Sequence, residues 1–181
     1  MKKAYIFFAE GFEEIEAITP VDVLRRAGID VTTVSITDKR QVTGSHNIEI
    51  TTDSILDEIK NIQADMLILP GGLPGAVNLN KSLELKQMIH NHFGKGKSIA
   101  AICAAPMVLG EMGILKNKKV TCYPGFEKYL RGAEVSTNSV ESSTNIITGQ
   151  GVGAAMKFAL ELVSQLTDKQ TAKELAKKMV V

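Results

Sequence analysis

The chain has 181 residues, with 21 Lys and Arg against 20 Asp and Glu, so its formal charge of +1 gives nucleic acid or an anionic membrane no electrostatic hold on it. Hydrophobic residues at 44% and charged residues at 23% exclude a disordered chain and describe one globular domain over residues 1–181. The two cysteines, Cys103 and Cys122, cannot make a disulfide framework, the apolar run behind Lys2 and Lys3 is shorter than a signal-peptide core, and no stretch is long enough to span a bilayer; the expectation is a cytoplasmic protein.

Along the chain, two hydrophobic periods alternate. Ala4 to Ala9 is a continuous apolar run of strand length. Glu13 to Ala27 reads as a helix closed by Arg25, Arg26 and Gly28, with Pro20 expected to kink or restart it behind a Thr19 cap. Asp30 to Ile36 is β-branched and strand-like, and Gln41 to Thr52 reads as a hairpin broken at Gly44-Ser45. Ser54 is placed to cap a short helix to Lys60. Met66 to Leu69 is a buried strand ended by Pro70-Gly71-Gly72, and Asn80 to Phe93 a helix with Leu85, Met88, Ile89 and Phe93 on one face. Ser98 to Ile102, Lys119 to Cys122 and Asn145 to Thr148 read as strands, Ala104 to Met112 as a helix. Ala155, Phe158, Ala159, Leu162, Val163 and Leu166 keep helical spacing, and Thr167 with Gln170 suggests a capping box for the last helix. Apolar strands alternating with amphipathic helices predict a doubly wound α/β fold, its sheet mostly parallel with helices on both faces.

In such a sheet, ligands bind at the carboxyl ends of the strands. Three turns collect there: Glu10 to Glu16, Pro70 to Gly75, and Ile102 to Pro106. Cys103 closes an apolar strand among small residues, as a projected nucleophile requires, and a following helix N-terminus would lower its pKa. A buried core cysteine is the competing account. Gly71, Gly72 and Gly75 let backbone amides approach a ligand, although a glycine pair after a strand is more often only a turn. Glu13, Glu14 and Glu16 open a helix, where acids complement the dipole, and spacing alone does not choose among them.

Cys122 reads as core packing. His90 and His92 are two apart on a helix, a poor metal pair expected on a solvated surface, and no metal site is expected. All three histidines, His46 included, precede Cys103, so a Cys…His hydrolase order is absent and a carboxylate must be the acid/base partner.

Gly11-Phe12-Glu13-Glu14-Ile15-Glu16, Pro20-Val21-Asp22-Val23-Leu24-Arg25-Arg26-Ala27-Gly28, Leu69-Pro70-Gly71-Gly72 and Ala100-Ala101-Ile102-Cys103-Ala104-Ala105-Pro106 closely resemble the ThiJ/PfpI family, in the branch of the Parkinson-disease-associated deglycase and its bacterial counterparts. The likeness runs from the first strand through Gly149-Gln150-Gly151 into the last helices. It implies a flavodoxin-like fold, a homodimer, Cys103 as nucleophile, Glu16 as its carboxylate partner, and the amides of Gly72 and Ala104 as oxyanion donors. Where many relatives carry a histidine after the following strand, this chain has Tyr123, which can donate a hydrogen bond but does not replace a histidine base. The resemblance implies a cofactor-free enzyme acting on 2-oxoaldehydes such as methylglyoxal or glyoxal, or on their thiol and amine adducts, in a glyoxalase III-like or deglycase-like reaction. A redox-responsive stress protein or chaperone with an oxidisable Cys103 is the alternative.

Overall fold

A computed structural model describes residues 1–60 and 63–181. In chain order its first half runs β1 (Lys3–Phe8), α1 (Glu14–Arg26), β2 (Asp30–Ser35), β3 (Gln41–Thr43), β4 (Glu49–Thr51), β5 (Ser54–Ile55), α2 (Leu56–Ile59), β6 (Met66–Leu69), α3 (Gly75–Lys81) and α4 (Leu83–Gly94). The second half runs β7 (Ser98–Ile102), α5 (Pro106–Glu111), β8 (Lys119–Val120), β9 (Glu134–Val135), β10 (Val140–Ser143), β11 (Ile146–Gly149), α6 (Ala155–Leu166) and α7 (Lys169–Lys178).

The apolar strands β1, β6 and β7 are buried because they occupy the centre of a seven-stranded sheet of order β10-β11-β7-β6-β1-β2-β5. Every pairing in it is parallel except the edge pair β10 with β11. From β1 the chain winds outward through β2 in one direction and through β6 and β7 in the other. The turns after β1 and β6 therefore face each other across a topological switch point, the place where such sheets bind ligands. Helix α1 packs on α6 and α6 on α7, while α3 touches α4 and α5. All six apolar positions read from the spacing of α6 are buried. The fold is the doubly wound α/β architecture that the alternation of periods predicts, and of the flavodoxin-like kind that the family resemblance implies.

Several local expectations need correction. Helix α1 runs unbroken through Pro20, with Glu13 rather than Thr19 as its cap. The ring withholds only the N–H that would meet the Glu16 carbonyl, and neighbouring packing carries the helix across. Ser54 lies in β5 and Ile55 precedes α2, the Ser54 hydroxyl donating to Glu58 Oε2 at 2.6 Å. The expected helix Asn80 to Phe93 is two helices, because Ser82 leaves helical geometry and accepts from the Leu85 amide at 3.2 Å. Asp168, not Thr167, caps α7 through the Thr171 amide at 2.8 Å, and the Thr167 hydroxyl donates back to Val163. Helix α5 begins at Pro106, so a two-residue turn, Ala104-Ala105, separates it from Cys103. His92 is buried, its Nε2–H donating to the Ser98 carbonyl oxygen at 2.9 Å; it shares the inward face of α4 with Leu85 and Ile89, whereas His90 is exposed.

Candidate active site

Cys103 stands where β7 ends, and its φ of +64° puts a non-glycine residue in the left-handed region. That costs on the order of 1–3 kcal/mol and persists only where surroundings over-determine it. Two hydrogen bonds do so. The Cys103 amide donates to the Gly149 carbonyl at 2.9 Å, and the Tyr123 amide donates to the Cys103 carbonyl at 2.8 Å. The thiol is thereby aimed at the turn after β6, where the amides of Gly72 and Ala104 donate to it. Gly72 has a φ of +90°, the conformation in which its amide can face the sulfur without steric penalty.

Of the three glutamates opening α1, the structure gives each a different task. Glu13 Oε2 accepts from the Glu16 amide at 2.7 Å and caps the helix. Glu14 is buried against the β3–β4 hairpin, where the His46 amide donates to Oε1 and the His46 ring lies 2.7 Å from Oε2. Burial drives the Glu14 carboxyl upward, but these hydrogen bonds outweigh it and hold it below the ordinary carboxylate range. Glu16 alone enters the cleft. It is completely buried, its Oε2 accepts from the Gly71 amide at 3.1 Å, and its Oε1 has no partner.

Gly71 is as close a neighbour of the pair as any residue. A Cβ on it would stand 2.5 Å from Glu16 Oε2 and 2.6 Å from the Cys103 Cβ. Only hydrogen fits between them. Burial and the charge of Glu13 raise the Glu16 carboxyl to about 7, against the pull of its Cys103 and Gly71 hydrogen bonds. Burial and the Glu16 charge push the Cys103 thiol up to about 12, while the Gly72 and Ala104 amides draw it down. The lowering expected from a helix start is thus present only as those two amides, and burial, the Glu16 charge and the Glu16 hydrogen bond together outweigh it. A proton on Glu16 removes the like charge and offers the sulfur a donor in its place. With the thiol the weaker acid of the two, the site rests with the proton on Cys103, and a thiolate forms only when that proton passes to Glu16.

Tyr123 lies at the mouth of the cleft and is half exposed. Cys122, next to it, is buried, and burial with the Glu127 charge raises its thiol to about 11. Glu13, Glu14 and His46 bring one donor atom each within 4.8 Å of one another, the one such grouping among the described residues. Its two acids already serve as the helix cap and the hairpin anchor. The segment Gly149 to Gly151 escaped the sequence reading as a part of the cleft. It follows a buried strand parallel to β7, so the rule that selected the other three turns selects it as well.

Comparison with known proteins shows the family. The DJ-1/PfpI family profile matches residues 2–165. Protein dj-1beta of Drosophila melanogaster is 36% identical over 182 residues, covering 99% of this chain and 97% of that protein. Protein DJ-1 homolog B of Arabidopsis thaliana is 38% identical over 99% of this chain, which spans only 42% of its length. Glutathione-independent glyoxalase DJR-1.2 of Caenorhabditis elegans is 34% identical, with 93% of this chain and 90% of that protein covered. Among solved structures, oxidized Toxoplasma gondii DJ-1 superimposes with a TM-score of 0.96 at 35% identity, over 99% of this chain and 98% of that one. The chain belongs to the DJ-1/PfpI family.

Proposed function

We propose that the protein is a cysteine-dependent, glyoxalase III-like or deglycase-like enzyme acting on 2-oxoaldehydes such as methylglyoxal and glyoxal, or on their thiol and amine adducts. The observation that carries the reading is the juxtaposition of a left-handed Cys103, two amides directed at its sulfur, and a buried Glu16 whose Oε1 is unpartnered. The related Caenorhabditis protein, named a glutathione-independent glyoxalase, supports the same substrate class.

With the proton on Glu16, the Cys103 thiolate attacks the aldehyde carbon. The C=O π pair moves onto oxygen, and the amides of Gly72 and Ala104 stabilise that oxyanion as it becomes a hemithioacetal. Glu16, having given up its proton, removes the hydrogen from the former aldehyde carbon and returns a proton to the neighbouring carbon. The first carbon is oxidised to a thioester while the second carbonyl is reduced to an alcohol, so no external electron acceptor enters. Water then cleaves the thioester, releasing a 2-hydroxy acid and the free thiol. Tyr123 lines the mouth and contacts substrate there. Protein lacking added metal or cofactor should convert methylglyoxal to lactate; a rate no better than that of a free small thiol would remove the reading.

A second reading, oxidation of Cys103 as a stress response, is favoured by the likeness to a relative solved in an oxidized form. The same amides that hold an oxyanion would hold sulfinate oxygens. The exposed Ile15, Ile18 and Ile48 on α1 and the β3–β4 hairpin support a homodimer. Light scattering should give twice 19.6 kDa, and Ile48→Glu should shift it to the single-chain mass. Two free thiols fit a reducing compartment such as the cytoplasm.

A further inference from the structure

Glu14 is a buried acid that the proposed chemistry leaves idle. Three groups at the tip of the β3–β4 hairpin hold it. The His46 amide donates to Oε1 at 2.7 Å, the His46 ring nitrogen Nδ1 lies 2.7 Å from Oε2, and the Ser45 hydroxyl donates to Oε2 at 3.3 Å. A Cβ on Gly44 would stand 2.3 Å from Oε1, so the tip closes over the carboxylate only with hydrogen at that position. An apolar side chain would anchor a hairpin at least as well, since a buried ion pair is often no more stabilising than apolar contact of the same volume. A carboxylate there points to a task beyond stability.

The segment that the hairpin grips is the one that backs the oxyanion turn. The Ser45 amide donates to the Phe12 carbonyl at 2.7 Å, and the Gly11 amide to the Thr43 carbonyl at 2.8 Å. From the opposite side, the Glu13 amide donates to the Gly71 carbonyl and the Gly75 amide to the Gly11 carbonyl, each at 3.0 Å. A Cβ on Gly72 would stand 2.4 Å from the Glu13 nitrogen and 2.6 Å from the Gly11 oxygen, so no slack separates the two turns. Residues 11–13 are thus held between the hairpin and the turn whose Gly72 amide donates to the Cys103 thiol.

We infer that Glu14 is a positioning residue for the Gly72 oxyanion donor, acting through the hairpin tip, and that protonation of the His46 ring tightens its hold. This rests on the oxyanion role proposed for Gly72. The other ionisable groups facing the contact are acids: Glu13 Oε1 lies 4.0 Å from the His46 ring, and Glu10 accepts from the Thr43 amide at 3.2 Å. Among the described residues, no lysine or arginine forms an ion pair with Glu10, Glu13 or Glu14. The Glu14 hydrogen bond and charge, joined by the Glu13 charge, raise His46 above its ordinary value. Below that point the ring holds the carboxylate by a charge-assisted bond; above it the bond is an ordinary one and the amide is held less firmly.

The test reads methylglyoxal kinetics and the NMR signal of the Gly72 amide in wild type, Glu14→Ala and His46→Gln, with kcat counted per titrated Cys103 so that lost stability alone does not register. Glu14→Ala should lower kcat by about tenfold, less than deletion of an oxyanion donor, with KM changed by less than about threefold. His46→Gln alters an exposed ring and decides the matter if Glu14→Ala does not fold; it should lower kcat by about threefold. In wild type, one step of the Gly72 amide shift should follow the His46 ring protons above about pH 6.5, and His46→Gln should remove that step. Wild-type kcat in His46→Gln, or a step that persists in it, overturns the positioning role. If no form turns over methylglyoxal but the Gly72 amide follows His46, the enzyme reading fails and the linkage stands. An amide indifferent to His46 removes the linkage whatever the turnover.

Discussion

Cys103 and Cys122 share many properties and differ in what surrounds them. Both are buried free thiols, and burial is the largest cause raising each above its ordinary value, to about 12 and about 11. Cys122 has an acid, Glu127, as its charged neighbour, and both causes acting on its thiol raise it. Cys103 has two amides pointed at it and an acid that can itself hold the proton. The lesson is that depth does not set the two thiols apart. Donors already in place, and a neighbour able to become neutral, do.

The largest effect should come from the thiols themselves. Cys103→Ala is expected to reduce methylglyoxal turnover by at least about a thousandfold, as for other nucleophile deletions, with the fold intact by circular dichroism. Cys122→Ala should keep activity within roughly threefold while lowering stability by about 1 kcal/mol through a small cavity. Equal losses of activity would erase the contrast.

Crowding Gly71 is next. Gly71→Ala should lose on the order of 2 kcal/mol of stability from overpacking and most of its activity, since the new methyl would meet both Glu16 and Cys103. Gly153→Ala, where a Cβ would meet nothing within 4 Å, should be nearly neutral in urea melts and kinetics.

The acid partner provides a pH test. Glu16 binds its proton up to about 7 when folded, against 4.5 ordinarily, so the folded chain holds the extra proton in between. Stability should fall as pH rises across that window, by on the order of 3 kcal/mol, and level off above it. Glu16→Gln should flatten this limb in denaturant titrations from pH 4.5 to 8, and an unchanged slope would show the carboxyl to be ordinary. Buried His92 acts in the opposite sense: burial, then the Lys97 and Lys95 charges, outweigh its Ser98 hydrogen bond and lower it, so its share of stability is lost as pH falls below the ordinary histidine range. Cys103 alkylation should also separate Glu16→Gln, which removes the charge and keeps a hydrogen-bond donor, from Glu16→Leu, which removes the charge and keeps no donor.

The smallest effect concerns order rather than size. Under graded peroxide, peptide mapping should find two added oxygens on Cys103 before Cys122, by a fewfold in rate. The reverse order would mean that the amides and Glu16 give no advantage.

The class of fold was legible because burial on both sheet faces leaves uninterrupted apolar runs at β1, β6 and β7, and because α6 keeps strict helical spacing. The boundaries that failed were decided by single polar side chains with more than one partner available. Ser82 could continue a helix or cap the next, and Thr167 could cap forward or donate backward. The Cys103 position followed from the strand-end rule, but its left-handed backbone did not, because Gly149 and Tyr123 impose it from segments 46 and 20 residues away in the numbering. The crowding at Gly151 was hidden for a similar reason, since a Cβ there would meet a tyrosine and a glutamate that no local pattern links to it.

The hydrogen bond from Cys103 to Gly149 also bears on how the chain acquires its chemistry during synthesis. Residues 1–110 hold the thiol, the carboxylate and both amides, yet of the two partners that fix the left-handed turn, Tyr123 comes later and Gly149 is made nearly forty residues later. A ribosome-bound chain that has not yet released β11 therefore carries Cys103 without its anchor, free to relax into ordinary backbone. Reactivity toward electrophiles would then switch on late, with the docking of β11, which leaves the emerging polypeptide less exposed to them.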